Sequence, residues 1–218
     1  MPRLVGCDVD GAGGPVDLLT WRQGRVRLDP LGPRAVRALA RLAVDVHDQP
    51  VPPDQRPPPL SFRLPPEPEV PTWARWPDLW RRALELWFDG PPATASGLLH
   101  RDFHFGNLLW DGDTITGLID WAETSLGPPD LDVAHLCADF AMMHTVGDAA
   151  SFRDAYLRAG GRLDPDPDAA RFWVVADILG FLPDPAHILA PVAPRRPDLT
   201  ADRVRHGLED LLAVTLPS

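Results

Sequence analysis

An α+β fold is predicted, with a small β unit leading into a mainly helical body that carries one β-hairpin. Three observations predict it. Residues 3–9 and 15–21 are strand-like runs on either side of a glycine-rich turn. Apolar residues recur at helical spacing through most of the sequence after residue 33. Residues 98–121 interrupt that pattern with two short apolar strands around Asp111-Gly112-Asp113. The expected division is a unit of residues 1–24 and a helical body of residues 25–218.

The elements follow in order. Arg3–Val9 leads into Asp10-Gly11-Ala12-Gly13-Gly14, and Pro15–Trp21 returns. The turn lacks G-x-G-x-x-G spacing and precedes a strand, so it reads as a hairpin turn and not as a phosphate loop. Gly24 ends the unit. Asp29-Pro30 and Pro33 then open a helix in which Val36, Leu39, Ala40, Ala43 and Val46 share a face, ending at His47. Residues 49–77 are Pro-rich, with Phe62, Trp73 and Trp76 suited to lying against the body. Asp78 reads as the N-cap of a helix carrying Leu79, Trp80, Ala83, Leu86 and Trp87, closed by Asp89-Gly90-Pro91. Further helices are expected over 132–144, 151–159, 169–181 and 200–214, with a Pro-rich loop over 183–198.

Composition narrows the function. The chain has 218 residues, a formal net charge of −10 and a pI near 5.0. That argues against nucleic acid and against an anionic membrane surface as partners. No uninterrupted apolar run reaches the length of a membrane span. Cys7 and Cys137 lie in no metal or redox spacing and read as reduced thiols of a cytoplasmic protein. The sequence contains no lysine, so every phosphate contact made by a cationic side chain must come from Arg or His.

The chemistry is concentrated in residues 98–121. Leu98–His100 reads as a short strand, and His100-Arg101-Asp102 is followed by Asn107 at the H-R-D-x-x-x-x-N spacing of a phosphoryl-transfer loop. Leu108–Trp110 and Thr114–Ile119 pair around the Asp111–Asp113 turn, which returns Asp120 to the end where Asn107 sits. Two oxygen donors beside a third carboxylate, with no thiolate, suit a hard cation such as Mg²⁺ shared with phosphates. The competing metal reading is His100-x-Asp102-x-His104 as a zinc site. No further histidine cluster supports it, and His100 reads instead as a buried hydrogen-bonding support.

His-Arg-Asp-Phe-His-Phe-Gly-Asn, Ile119-Asp120-Trp121 and the Gly127…Pro129…Asp132-Val133-Ala134 segment together resemble the aminoglycoside phosphotransferase family, which has a protein-kinase-like fold. Leu18-Leu19-Thr20-Trp21 resembles the family's hinge strand, and Val46-His47-Asp48-Gln49-Pro50 its Leu-His-x-x-Pro segment. Pro128 stands where the family has Asp. The resemblance implies transfer of the ATP γ-phosphoryl group to a hydroxyl of a small molecule, an aminoglycoside-type antibiotic or another alcohol. It implies Asp102 as catalytic base or hydroxyl-orienting group, Asn107 and Asp120 as Mg²⁺ ligands, and Asp132 as anchor of the catalytic loop. It also implies that Leu19, Thr20 and Trp21 meet the adenine of ATP. The family's phosphate loop, ATP-binding Lys and partner Glu would lie upstream of Met1. The alternative is therefore an impaired relative that binds a ligand or partner without turnover. A remnant hairpin with apolar Leu4, Val5, Val9, Val16, Leu18 and Leu19 is expected to form a homodimer through residues 3–21 or to be mobile there. Glu123 and Asp130 read as solvated surface, or else as carboxylates facing a cationic substrate.

Overall fold

A computed structural model describes residues 2–8, 14, 16–60, 68–93 and 96–217. The expected turn at 9–13 and Phe62 lie outside the described residues. β1 (Leu4–Asp8) and β2 (Val16–Leu19) pair antiparallel, with Leu4 opposite Leu19 and Asp8 opposite Val16. Every residue of both strands is exposed. β3 (Arg25–Val26), too short to carry a sequence pattern, follows directly. It joins the predicted hairpin, β5 (Leu108–Asp111) and β6 (Thr114–Leu118), as a three-stranded sheet in the order β3-β5-β6. The approach is close because Gly24 has φ +140° and a Cβ there would stand 2.3 Å from Thr116 Oγ1.

β4 (Gly97–Leu99) pairs with β7 (Ser125–Gly127), bracketing residues 100–124. The helices surround this β scaffold. α1 (Pro33–His47) starts at a proline, whose missing N–H costs nothing in a first turn, and buries Leu39, Ala40, Ala43 and Val46 as its spacing predicts. α2 (Pro77–Phe88) begins two residues earlier than expected. Its N-cap is Trp76, with no side-chain cap, and Asp78 sits inside the first turn paired with Arg81. The proline at the first helical position fixes the start, which leaves Asp78 too late in the chain to cap it.

α3 (Asp130–Met143) is the central element. All but one of its residues are buried, as expected of a helix apolar on every side, and it packs against α4, α5 and α7. α4 (Val146–Arg158) starts five residues before the expected helix because Thr145 caps it, accepting from the Asp148 amide. α5 (Pro167–Leu179) is capped by Asp166. The Pro-rich loop at 183–198 contains a single-turn helix, α6 (Leu189–Val192), and α7 (Ala201–Thr215) closes the fold behind its Thr200 cap. No described helix is long and apolar enough to cross a membrane.

The segment before α2 is fastened to α7 by a buried carboxylate. Glu209 is 0% exposed. It accepts from Arg75 Nε at 2.7 Å and from both the Trp76 amide and Trp80 Nε1 at 3.0 Å. Trp73 adds an edge-on contact with Trp80 and a hydrogen bond to the Pro183 carbonyl. These bonds explain why a proline-rich stretch lies against the body.

α7 meets α3 at Gly207, where an added Cβ would stand 2.1 Å from the Ala141 carbonyl oxygen. Backbone cannot yield as a flexible side chain can. Gly207→Ala is therefore expected to lower stability by about 1–3 kcal/mol despite alanine's better helix propensity. Urea unfolding of the two proteins checks this, and an unchanged midpoint would show that the helices separate freely.

Candidate active site

The His100–Asn107 loop is shaped by Asp132. One carboxylate oxygen of Asp132 accepts the His100 amide at 2.7 Å and the other the Arg101 amide at 2.8 Å. His47 Nε2, from the end of α1, reaches the same group at 3.2 Å, and its Nδ1 lies 2.7 Å from the Tyr156 hydroxyl. Burial alone would raise the Asp132 pKa, but the His47 hydrogen bond and the two amides hold it below the ordinary carboxylate value. Asp132 thus bonds the start of the loop, and its side-chain partner is the histidine of the Leu-His-x-x-Pro-like segment.

His100 couples the loop to the far strand. Its ring is fully buried and lies 2.9 Å from the Ile119 carbonyl through Nε2, which must donate. Its ring also packs edge-on against Trp121, with centroids 4.6 Å apart. Burial lowers its pKa, so it is a neutral imidazole. Among the described residues no group of three or more His, Cys, Asp or Glu side chains could hold a metal ion. His100 thus spends Nε2 on a backbone carbonyl, and His100, Asp102 and His104 form no such group.

The hairpin register sets Asn107 opposite Ile119, one residue before Asp120. The Ile119 amide donates to the Asn107 carbonyl at 3.0 Å, and Leu108 pairs with Leu118. Asn107 is buried, and its side-chain amide donates to both the Asp102 carbonyl and Asp102 Oδ2 at 2.8 Å. That arrangement commits the Asn107 nitrogen and leaves Oδ1 as its acceptor. Asp120 is exposed with φ +60°, and Arg101 has φ +73°. Among the described residues these two alone are non-glycine with positive φ, and both flank the site. Backbone held in that region by surrounding bonds commonly marks a functional loop.

Asp102 faces a cluster of histidines that the sequence pattern did not reveal. The Gly106 amide donates to His104 Nδ1 at 2.9 Å, which turns His104 Nε2 toward Asp102 Oδ2 at 3.5 Å. His135, from α3, places Nε2 3.9 Å from Asp102 Oδ1 and binds Asp177 through Nδ1 at 3.0 Å. The Phe181 ring stacks on it. The His104 hydrogen bond, with the His135 charge and the Asn107 amide, holds Asp102 well below the usual carboxylate range against burial. Burial would lower the His135 pKa, but Asp177 outweighs it, with help from Asp139 and Asp102, and raises it to about 9. Asp139 is spent on the Phe105 amide at 2.7 Å. His135 stands three residues after Asp132 on one helix, a spacing that puts both on the same face. That spacing was the one available signal.

Residues 19–21 end and follow β2. The Thr20 amide donates to the Arg3 carbonyl at 2.8 Å, and Thr20 Oγ1 accepts from the Arg3 amide. Leu19 is exposed, and the Trp21 ring is 88% exposed. Asp130 is buried, accepting from the Asp164 amide, so it is neither solvated surface nor a free carboxylate for a cationic ligand. Glu123 is exposed. Cys7 and Cys137 are free thiols.

The model of the APH phosphotransferase enzyme family matches residues 1–173, and the chain belongs to that family. No curated protein matches the sequence. Among solved structures, a putative aminoglycoside phosphotransferase from Ralstonia eutropha superposes with a TM-score of 0.58 at 19% identity, over 98% of this chain and 77% of that one. A thermostable aminoglycoside phosphotransferase APH(4)-Ia, in complex with AMP-PNP and hygromycin B, gives 0.59 at 18% identity over 100% and 78%. The Streptomyces rimosus enzyme APH(3'')-Id, in complex with ADP and streptomycin, gives 0.55 at 21% over 82% and 75%. At these identities the likeness establishes the fold, which is α+β and protein-kinase-like.

The raised His135 pKa has a direct consequence for stability. A folded-state value of about 9 against an unfolded value of about 6.5 means the contribution is complete below pH 6.5 and lost as pH rises through 9. His135→Gln should therefore lower the melting temperature most below pH 6.5, with the gap to wild type closing above pH 9. A gap constant with pH would show that His135 is uncharged in the folded protein.

Proposed function

We propose that this chain transfers the γ-phosphoryl group of ATP to a hydroxyl of a small molecule, an aminoglycoside-type antibiotic or another alcohol, with Mg²⁺ as the metal. The observation that carries the reading is the Asp102–Asn107 pair, bonded at 2.8 Å, at the end of the hairpin where Asp120 also emerges. An amide oxygen and an exposed carboxylate are hard donors, and they fit an ion that takes only one or two protein ligands and fills its shell with phosphate and water. Asn107 and Asp120 would hold it, and when bound it would neutralise phosphate charge.

Asp102 would meet the acceptor hydroxyl. Its low pKa makes it a weak base, so its main work is to orient the O–H and to take the proton as the oxygen bonds to phosphorus and the bond to the leaving ADP oxygen breaks. A loose transition state asks for little more. Asp132 and His100 keep the loop in register from outside the reacting atoms. Nucleotide contact near residues 19–21 would fall to the exposed Trp21 ring and to carbonyl groups, because the Thr20 amide is already spent on Arg3. One fact favours the second reading, a binding module without turnover: the sequence has no lysine to grip phosphate.

Asp102→Asn keeps the shape and removes the acceptor charge. It is expected to cut kcat by about a hundredfold or more while leaving Mg-ATP affinity within a few-fold of wild type. Wild-type kcat in this variant would remove Asp102 from the reaction. Asp120→Ala should do the reverse at the binding step, weakening Mg-ATP in a calorimetric titration. Equal affinity in the two proteins would take Asp120 out of the metal site.

A further inference from the structure

A cavity of about 430 Å³ opens beside Asp102. Its walls are mostly apolar, built by Met142 and Met143 of α3, Phe181, Ile188 and Val192, with His135 and Arg195 among them. Asp102 and Asp139 are its two carboxylates. Neither is free. Asp102 already accepts from Asn107 and lies beside His104 and His135, while Asp139 is committed to the Phe105 amide and is pushed toward its neutral form by burial.

We infer that the acceptor is a neutral alcohol with an apolar body, and not a polycationic aminosugar. A molecule carrying several ammonium groups would need several unpaired carboxylates to replace its lost hydration, and this cavity offers none. It would also meet the Arg195 guanidinium and the His135 imidazolium as like charges. An apolar body loses nothing by leaving water and gains the Met, Phe and Ile walls, while its single hydroxyl finds Asp102. This inference rests on the proposed phosphotransferase reading for the role of the hydroxyl, but not for the binding itself.

The sequence provides its own probe. It has three methionines, Met1, Met142 and Met143, and two of them line the cavity. The protein with methyl-labelled methionine is titrated with cyclohexylmethanol, menthol and benzyl alcohol, and separately with streptomycin and hygromycin B. The expected result is saturable shifts of the Met142 and Met143 methyl signals with at least one alcohol and none with either aminoglycoside. Ile188→Asp, on the partly exposed rim of the cavity, should weaken the alcohol roughly tenfold while keeping the dispersed spectrum of a folded protein. Failure of all three alcohols to shift these signals overturns the inference, as does tighter binding of an aminoglycoside. The same mixtures with Mg-ATP separate the two ideas. Phosphorylation of an aminoglycoside would overturn the substrate class and leave the phosphotransferase reading standing. Saturable alcohol binding with no phosphoryl transfer to any compound would support the cavity assignment and overturn the reaction.

Discussion

The site depends on one buried charge. Asp132 brings a carboxylate into the centre of the protein, where an unpaired ion would cost several kcal/mol. It is tolerable because two backbone amides and a histidine are aimed at it. The dependence runs both ways. The amides of His100 and Arg101 face inward only because an acceptor waits there, and the left-handed turn at Arg101 is what aims them. Asp132 lies in the first turn of α3, where the helix dipole also favours a negative group. The first long helix, the catalytic loop and the central helix are thus fixed to one another at a single functional group.

A second buried carboxylate repeats the principle in a structural setting. Glu209 gathers a guanidinium, an amide and an indole N–H from residues 75–80, and so holds α2 against α7. The two ends of the helical body are joined by charge-assisted bonds of this kind, and the apolar core fills the space between them. By contrast, all strand positions of β1 and β2 face solvent.

Much of this was legible in the sequence where local pattern and tertiary demand agree. α1 and the β5–β6 hairpin follow from spacing alone, because period and turn chemistry fix them. β3 was not legible: two residues have no period, and only the neighbouring strand makes Arg25–Val26 a strand. The start of α4 was hidden because Gly147 stands in its first turn, and the Thr145 cap lies outside the apolar repeat. His135 was hidden for a different reason. It stands among Asp130, Asp132 and Asp139 in a mostly apolar helix, and the Asp177 that charges it is 42 positions away. Long-range electrostatics leaves no local trace in a sequence, while the loop it serves leaves a strong one.

The strained backbone at Arg101 and Asp120 sets function against robustness. Glycine would adopt either conformation more comfortably than a side chain that loses roughly 1–3 kcal/mol there, somewhat less for aspartate. A population of variants selected only for surviving heat would therefore drift toward glycine at positions 101 and 120, and would lose the carboxylate at 120 as it did so. A designer of a hardier protein would thus remove first the very carboxylate that the proposed metal site needs.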